Sequence, residues 1–420
     1  MQIEPGSLPS EFPPTEFLPT QMPAPAGPQT LDIRFTGSGS EYFRIWIVNL
    51  LLTVVTFSLY LPFAKARRLA YFQGNTLVGG HALGFHGDPW KMFRGYLLVL
   101  ALGITYSVAS RLSTTAALVA VGALAAVWPA LWRASMQFRA ANTSWRGVRM
   151  RFKGSLNDAY NAMLPAFLPA VLMVVLGMNG ASQPAEGADP EVVGAAADRM
   201  GLVMGLIMLG AFAAAPWLMA RIKAYQHNHY AYATEQTRLG VGAGSFYRLS
   251  FKLFGVFALT VLASLVAAAA LAVAVGGFAV LQSVFSGDGM GRGTHMALAG
   301  AMIAGMAVFY LAMFAVPGPY LTSRFQNLLW GHTSSAHIVF RSELRLWPLL
   351  KVTLVNLLLT VITLGLYRPF AAVATARVRL ESVSLTVDGH VDDWVNTESA
   401  KMDDATGDLA GDFFGIDLGL

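Results

Sequence analysis

"NLLLTVVTFSLYLPFA" (residues 49–64) returns as "NLLLTVITLGLYRPFA" (residues 356–371), identical at twelve of sixteen positions. Asn49, Thr53, Thr56 and Tyr60 are spaced 4, 3 and 4, so a helix puts them on one face; Asn356, Thr360, Thr363 and Tyr367 repeat that stripe 307 positions later. Polar groups in hydrocarbon face other helices or a cavity, not lipid. The stripe therefore has two readings. It is helix–helix packing, at ~0.6 kcal/mol per interhelical hydrogen bond, or it is a polar site shared by the two copies.

Composition sets the class. The 420 residues are 55% hydrophobic and 13% charged, with mean hydropathy +0.51, and soluble domains carry about twice that charge fraction. Apolar segments fall at about 45–64, 93–111, 112–132, 160–179, 200–220, 253–277, 296–320 and 350–367. Each is near the ~20 residues that cross a bilayer. The expected fold is an all-α polytopic membrane protein of about eight apolar helices. Residues 1–30 read as a disordered Pro-rich tail, 31–390 as the transmembrane domain and 391–420 as an acidic loose tail. With no cysteine, disulfides and thiolate metal sites are excluded.

Net charge is +5, and its distribution gives an orientation. Loops 62–94, 133–153, 221–252 and 321–351 are dense in Lys and Arg, whereas 179–198 is acidic and the Gly-rich 284–295 has a single Arg, Arg292. The positive-inside rule makes the basic loops cytoplasmic in a multi-pass inner-membrane protein. Hairpins are then expected over about 95–132, 160–220 and 253–320. The first and last segments either span, which would put Arg368, Arg377 and Arg379 outside, or are re-entrant, which would put all short strands on the cytoplasmic face.

Short alternating segments ending in Phe recur: "LDIRFTGS", "HALGFHGD", "VRMRFKGS" and "AHIVFRS", with "GAGSFYRLS" around Phe246 as a weaker member. They read as short β-strands on the cytoplasmic face. Ser38, Asp88 and Ser155 follow three residues after Phe35, Phe85 and Phe152 as helix N-caps, with Pro89 in the first helical position. Helices then return through Pro62/Arg67, Pro129/Arg133, Pro216/Arg221 and Pro319/Arg324, and more loosely Pro369/Arg377. Asn75, Thr76, Gly80, Phe85 and Gly87 recur 67 positions on as Asn142, Thr143, Gly147, Phe152 and Gly154. The reading is about five internal repeats.

Residues 37–87 resemble the YjgN family of bacterial inner-membrane proteins: Asn49, Thr53, Thr56, Tyr60, Pro62, Lys65, Arg67, Arg68, Tyr71, Phe72, Asn75 and Thr76 fit its pattern. Ser58 replaces the usual glycine, which Gly365 restores in the second copy. The resemblance extends over most of residues 31–390. It implies a multi-span inner-membrane protein and supplies no catalytic residue.

Candidate binding groups are Lys65, Arg67, Arg68, Arg133, Arg221, Lys223 and Arg324, just past the membrane exits and beside aromatic residues. Such cations each gain about 1 kcal/mol near anionic headgroups, so the expected partners are membrane lipids, anionic ones included; no nucleic-acid module is present. His227 and His229 stand two apart without a third ligand at helical spacing, so no metal, cofactor or catalytic residue is expected. Nor does an ionisable residue lie centrally in any apolar segment, which disfavours ion-coupled transport. Two functions remain: solute or lipid handling along the doubled stripe, or a membrane scaffold or envelope-homeostasis protein whose basic face binds anionic lipid or a partner. An enzyme using Arg67 and its equivalents on phosphate groups is a distant third.

Overall fold

In a computed structural model, residues 27–180, 189–286 and 292–388 are described; both tails, apart from residues 27–30, and the segments 181–188 and 287–291 lie outside them. Strand β1 (Gln29–Phe35) leads into α1 (Gly39–Val55), which turns into α2 (Leu61–Gly74) and ends in β2 (Thr76–Val78). Next come β3 (His81–Phe85), α3 (Pro89–Leu112), α4 (Thr114–Ala141) and β4 (Thr143–Trp145). Then follow β5 (Val148–Phe152), α5 (Leu156–Gly180), α6 (Pro190–Asn228), β6 (Tyr230–Tyr232) and β7 (Glu235–Gln236). Strand β8 (Arg238–Leu239) opens α7 (Ala243–Ser286), α8 (Arg292–Ala315), α9 (Pro317–Trp330) and β9 (Thr333–Ser334). The chain closes with β10 (Ile338–Ser342), α10 (Leu346–Ile362), α11 (Arg368–Leu380) and β11 (Val383–Val387).

The eleven strands among the described residues form one sheet, ordered β7-β6-β5-β4-β3-β2-β1-β11-β10-β9-β8. The fold is therefore not all-α. The strands have only two to seven residues, and their partners are distant in sequence, so local alternation reveals a strand but not a sheet. The two ends of the order, β7 and β8, are separated by Thr237 alone, so the sheet curls back on itself. Its opposite side closes where β1 pairs with β11, Thr30 against Thr386 and Leu31 against Leu385. Leu31, Val78, Trp145, Val148, Tyr232, Ile338 and Val387 fill the space within. Trp145 donates its indole N–H to the Val78 carbonyl (3.1 Å), and the Tyr232 hydroxyl donates to the Trp145 carbonyl (3.1 Å), which stitches three neighbouring hairpins together.

The phenylalanines ending the strands seed smaller clusters under the helices. Phe35 packs with Tyr42 and Tyr71, and Phe152 with Trp132 and Tyr225. Each ring lies over the glycine two residues on, Gly37 or Gly154, where a Cβ would collide with it. The element around Phe246 differs from expectation: "GAGSF" begins helix α7, and the strand is Arg238–Leu239, before it. Phe246 is buried beside Ala220 and Leu329; Ser250 follows it by four residues, not the three that separate Phe from the cap at the true strand ends. Ser38, Asp88 and Ser155 do cap helices, accepting from the N–H groups of Glu41, Trp90 and Asp158.

Six helical stretches among the described residues are long and apolar enough to cross a membrane: Pro89–Leu112, Thr114–Ala141, Leu156–Leu176, Pro190–Asn228, Ala243–Phe278 and His295–Trp330. The protein is a polytopic membrane protein. The first and last apolar segments behave differently, since α1 and α10 have 17 residues each and then reverse. Phe57 (φ 47°), Ser58 (φ 72°), Leu364 (φ 50°) and Gly365 (φ 94°) make the two reversals in the left-handed region. Only Gly365 adopts it without steric cost. Both limbs of each hairpin end in the same sheet, the first at β1 and β2, the second at β10 and β11.

Because the chain lacks cysteine, the closure is directly testable. Thr30→Cys with Thr386→Cys should oxidise to an intramolecular disulfide, since directly paired antiparallel Cα atoms lie ~4.5–5.5 Å apart. Asp32→Cys with Thr386→Cys, two positions out of register, should cross-link far less on non-reducing gels.

Candidate functional site

The doubled stripe lies inside the two reversing hairpins. The Asn49 side-chain amide donates to the Ala64 carbonyl of the returning helix (3.4 Å), and Asn356 donates to the Ala371 carbonyl and the Thr375 hydroxyl (both 3.2 Å). Both asparagines are buried, 7% and 8% exposed. Thr53 donates to the Asn49 carbonyl one turn back. Thr56 and Thr363 donate to Leu52 and Leu359 and accept from the N–H groups of Tyr60 and Tyr367 (3.0 Å), bridging the reversals. Tyr60 and Tyr367 stack on Phe63 and Phe370, 5.5 and 5.4 Å between ring centres. Thr360 stands half-buried on the same face of α10. The Asn49 Oδ1 atom is buried without a partner.

The seven candidate cations divide. Arg67, Arg68, Arg221 and Arg324 are exposed, and Lys65, Arg133 and Lys223 are half-buried. Arg67 lies over Tyr60, Arg68 over Phe72, Arg221 over Trp217 and Arg324 over Tyr320, at 5.0–5.9 Å from the ring centres. Arg221 also donates to the Asn161 carbonyl (2.7 Å). Lys223 donates to the Gln226 side chain (2.7 Å) and lies over Phe325. Arg133 donates to the Gly154 carbonyl (2.7 Å), tying α4 to the turn that opens α5.

Other participants were not among the candidate stripe or headgroup-binding residues. Arg377 donates to the Gly37 carbonyl (2.9 Å), the counterpart of Arg133 on Gly154, and so joins α11 to the turn before α1. Tyr160 donates to the Ala126 carbonyl (2.6 Å) and Tyr247 to the Ala213 carbonyl (2.9 Å), in both cases three residues before a proline inside the neighbouring helix. Proline lacks an N–H and disturbs the helical ladder there, and the tyrosines supply donors from outside. The shared 34-residue separation was the available signal.

At the seam between β7 and β8, Glu235 accepts from the Ser335 hydroxyl (2.6 Å), the His337 backbone N–H (3.1 Å) and the His337 ring (2.8 Å). Burial pushes the Glu235 carboxyl up, but these hydrogen bonds and the imidazole outweigh it and hold the group below its ordinary value. His227 is buried against Thr333 and Trp330. Among the described residues no three His, Cys, Asp or Glu side chains gather as a metal site would require.

A curled sheet carrying apolar helical hairpins, six of whose helical stretches are long and apolar enough to cross a membrane, defines a polytopic membrane protein. The chain belongs to the family described as bacterial proteins of unknown function (DUF898), whose profile matches residues 30–413. It is similar to inner membrane protein YjgN of Salmonella typhimurium strain LT2, 26% identical over 350 residues covering 80% of this chain and 83% of that one. The YjgN proteins of Escherichia coli O157:H7 and K12 are each 26% identical over 34% of this chain and 36% of theirs. No solved structure matches. Localisation in the inner membrane, with several passes, agrees with these relatives and with the spans.

Removing the asparagine clamps should loosen the hairpins. Asn49→Ala should cost about 0.6 kcal/mol and Asn356→Ala, which breaks two bonds, about 1 kcal/mol, read as lowered Tm in detergent. The seam should be acid-sensitive. A carboxyl held below its unfolded value contributes stability above that value and loses it as pH falls through the folded one. Thermal stability should therefore drop on acidification below the ordinary carboxylate range, and Glu235→Gln should flatten that part of the profile.

Proposed function

We propose that this protein is a lipid-engaging scaffold of the bacterial inner membrane. Its strand-and-helix segments form five copies of one unit around the curled sheet, and eight apolar segments follow, six spanning and two reversing. In support, β1–β2, β3–β4, β5–β6, β8–β9 and β10–β11 each pair the two strands that flank one helical segment. The sheet faces the cytoplasm on this reading, because the basic loops gather there.

One observation carries the lipid assignment. Arg67, Arg221 and Arg324 stand five positions after Pro62, Pro216 and Pro319, exposed, each over an aromatic ring. Their described contacts are rings and a backbone carbonyl, not carboxylates, so the charges remain available to phosphate oxygens at headgroup depth. The spans offer little enclosure for a solute: in the most apolar stretch of α6 no residue is buried, and in the others at most 17% are. Passage of a solute or lipid along the Asn–Thr–Tyr stripe is the second reading. It is favoured by the unpartnered Asn49 Oδ1 and weakened by the bonds the other stripe groups make within their own hairpins.

The triple variant Arg67→Gln/Arg221→Gln/Arg324→Gln should retain much less phosphatidylglycerol on purification from mixed-lipid nanodiscs. The expected loss is about five-fold per arginine, from ~1 kcal/mol each, and should shrink at high salt. Unchanged retention would remove the lipid reading. Arg133→Gln, whose guanidinium holds Gly154, should lower folded yield instead.

A further inference from the structure

We infer that the two reversing hairpins act together as a wedge in one leaflet, with their partner the acyl chains of the leaflet on the sheet's side. The tips are among the most exposed apolar residues described: Phe57 is 92% and Leu364 94% exposed. Val54, Val55, Val361 and Ile362 around them are exposed as well. Water does not favour such a surface, and contiguous exposed apolar patches mark interaction sites.

Depth selects the occupant. Lys65 follows Ser58 by seven residues and Arg368 follows Gly365 by three. At ~1.5 Å per residue these cations stand at most ~10 Å and ~5 Å from the tips. A hydrocarbon core ~30 Å thick cannot be crossed on that reach, whereas insertion by ~5–10 Å is what interfacial elements achieve. The tips thus enter one leaflet and stop.

The hairpins also form a single body. β1 pairs with β11, Phe43 lies 5.8 Å from Phe370 across α1 and α11, and a Cβ on Gly39 would strike the Phe370 ring. Two apolar tips carried by one body add area to one leaflet and none to the other, while the remaining hairpins cross both. The wedge makes the protein prefer membrane whose sheet-side leaflet is expanded.

The test uses the full chain in phosphatidylcholine vesicles without anionic lipid, so its outcome is independent of headgroup binding. Phe57→Cys and Leu364→Cys, each labelled with bimane, should be quenched by mid-chain brominated lipid. The unlabelled thiols should resist an impermeant maleimide from both sides, with His81→Cys and Ser113→Cys reacting from opposite sides as markers. In tubes drawn from giant vesicles, molecules with the sheet outward should be enriched severalfold over the parent membrane. Phe57→Asp/Leu364→Asp should lose that enrichment while keeping the wild-type Tm, which separates loss of the wedge from misfolding. Reaction of either tip from the Ser113 side, cross-linking of tips between two copies, or equal enrichment of wild type and variant would overturn the proposal.

Discussion

The backbone pairing of β1 with β11 is the constraint on which the rest of this architecture depends. It joins residues 29–32 to residues 384–387, register by register, and makes neighbours of the first and last helical hairpins. Without it the sheet would be an open ribbon of two- to seven-residue strands, too short to be stable alone. With it, the strands surround a common apolar filling and leave little edge for unintended pairing. The Arg377–Gly37 bond and the Phe43–Phe370 contact reinforce the junction from the helical side.

A second economy runs through the helices. Prolines in the middle of the returning helices α4 and α6 disturb the ladder in surroundings where water cannot repair it. Tyr160 and Tyr247 reach across to carbonyls beside Pro129 and Pro216. In the reversing hairpins the proline instead occupies the first turn of α2 or α11, where no N–H is needed; there Phe93 and Phe43 pack against Phe63 and Phe370. The same kind of junction is held by a hydrogen bond where the helix is continuous and by ring packing where it is broken.

Much of this was legible in the sequence, and the gaps have physical causes. Uncharged runs identified the membrane class, and the three long hairpins follow the charge pattern because loop charge and bilayer length are local properties. The Asn–Thr–Tyr stripe was expected on one helix face, but only Asn49 and Thr53 share α1: Thr56 caps its end and Tyr60 opens α2, as Thr363 and Tyr367 do around α10 and α11. What periodicity could not show was that the chain reverses at Phe57–Ser58, so that Asn49 meets Ala64 fifteen residues away rather than a second copy of the stripe. Ser58 concealed the reversal, since the left-handed backbone there is signalled by glycine only at Gly365. The sheet was hidden for a different reason. Alternation tells which way a residue points, not which strand lies beside it, and the β1–β11 pairing spans nearly the whole chain. Phe246 misled because a helical phenylalanine in a polar setting mimics a strand end.

The same closure sets an order on the protein's biogenesis. Strand β1 emerges early, yet its partner β11 is made some 350 residues later, on the order of tens of seconds at ordinary synthesis rates. Through that interval one edge of β1 stays unpaired beside the membrane while the intervening hairpins insert. A chain cut short before residue 383 could thread every span and still leave the sheet open, with Leu31 stripped of its partner and an apolar edge exposed. The last strand thereby serves as a seal of completeness, distinguishing a finished molecule from one that has merely reached the membrane.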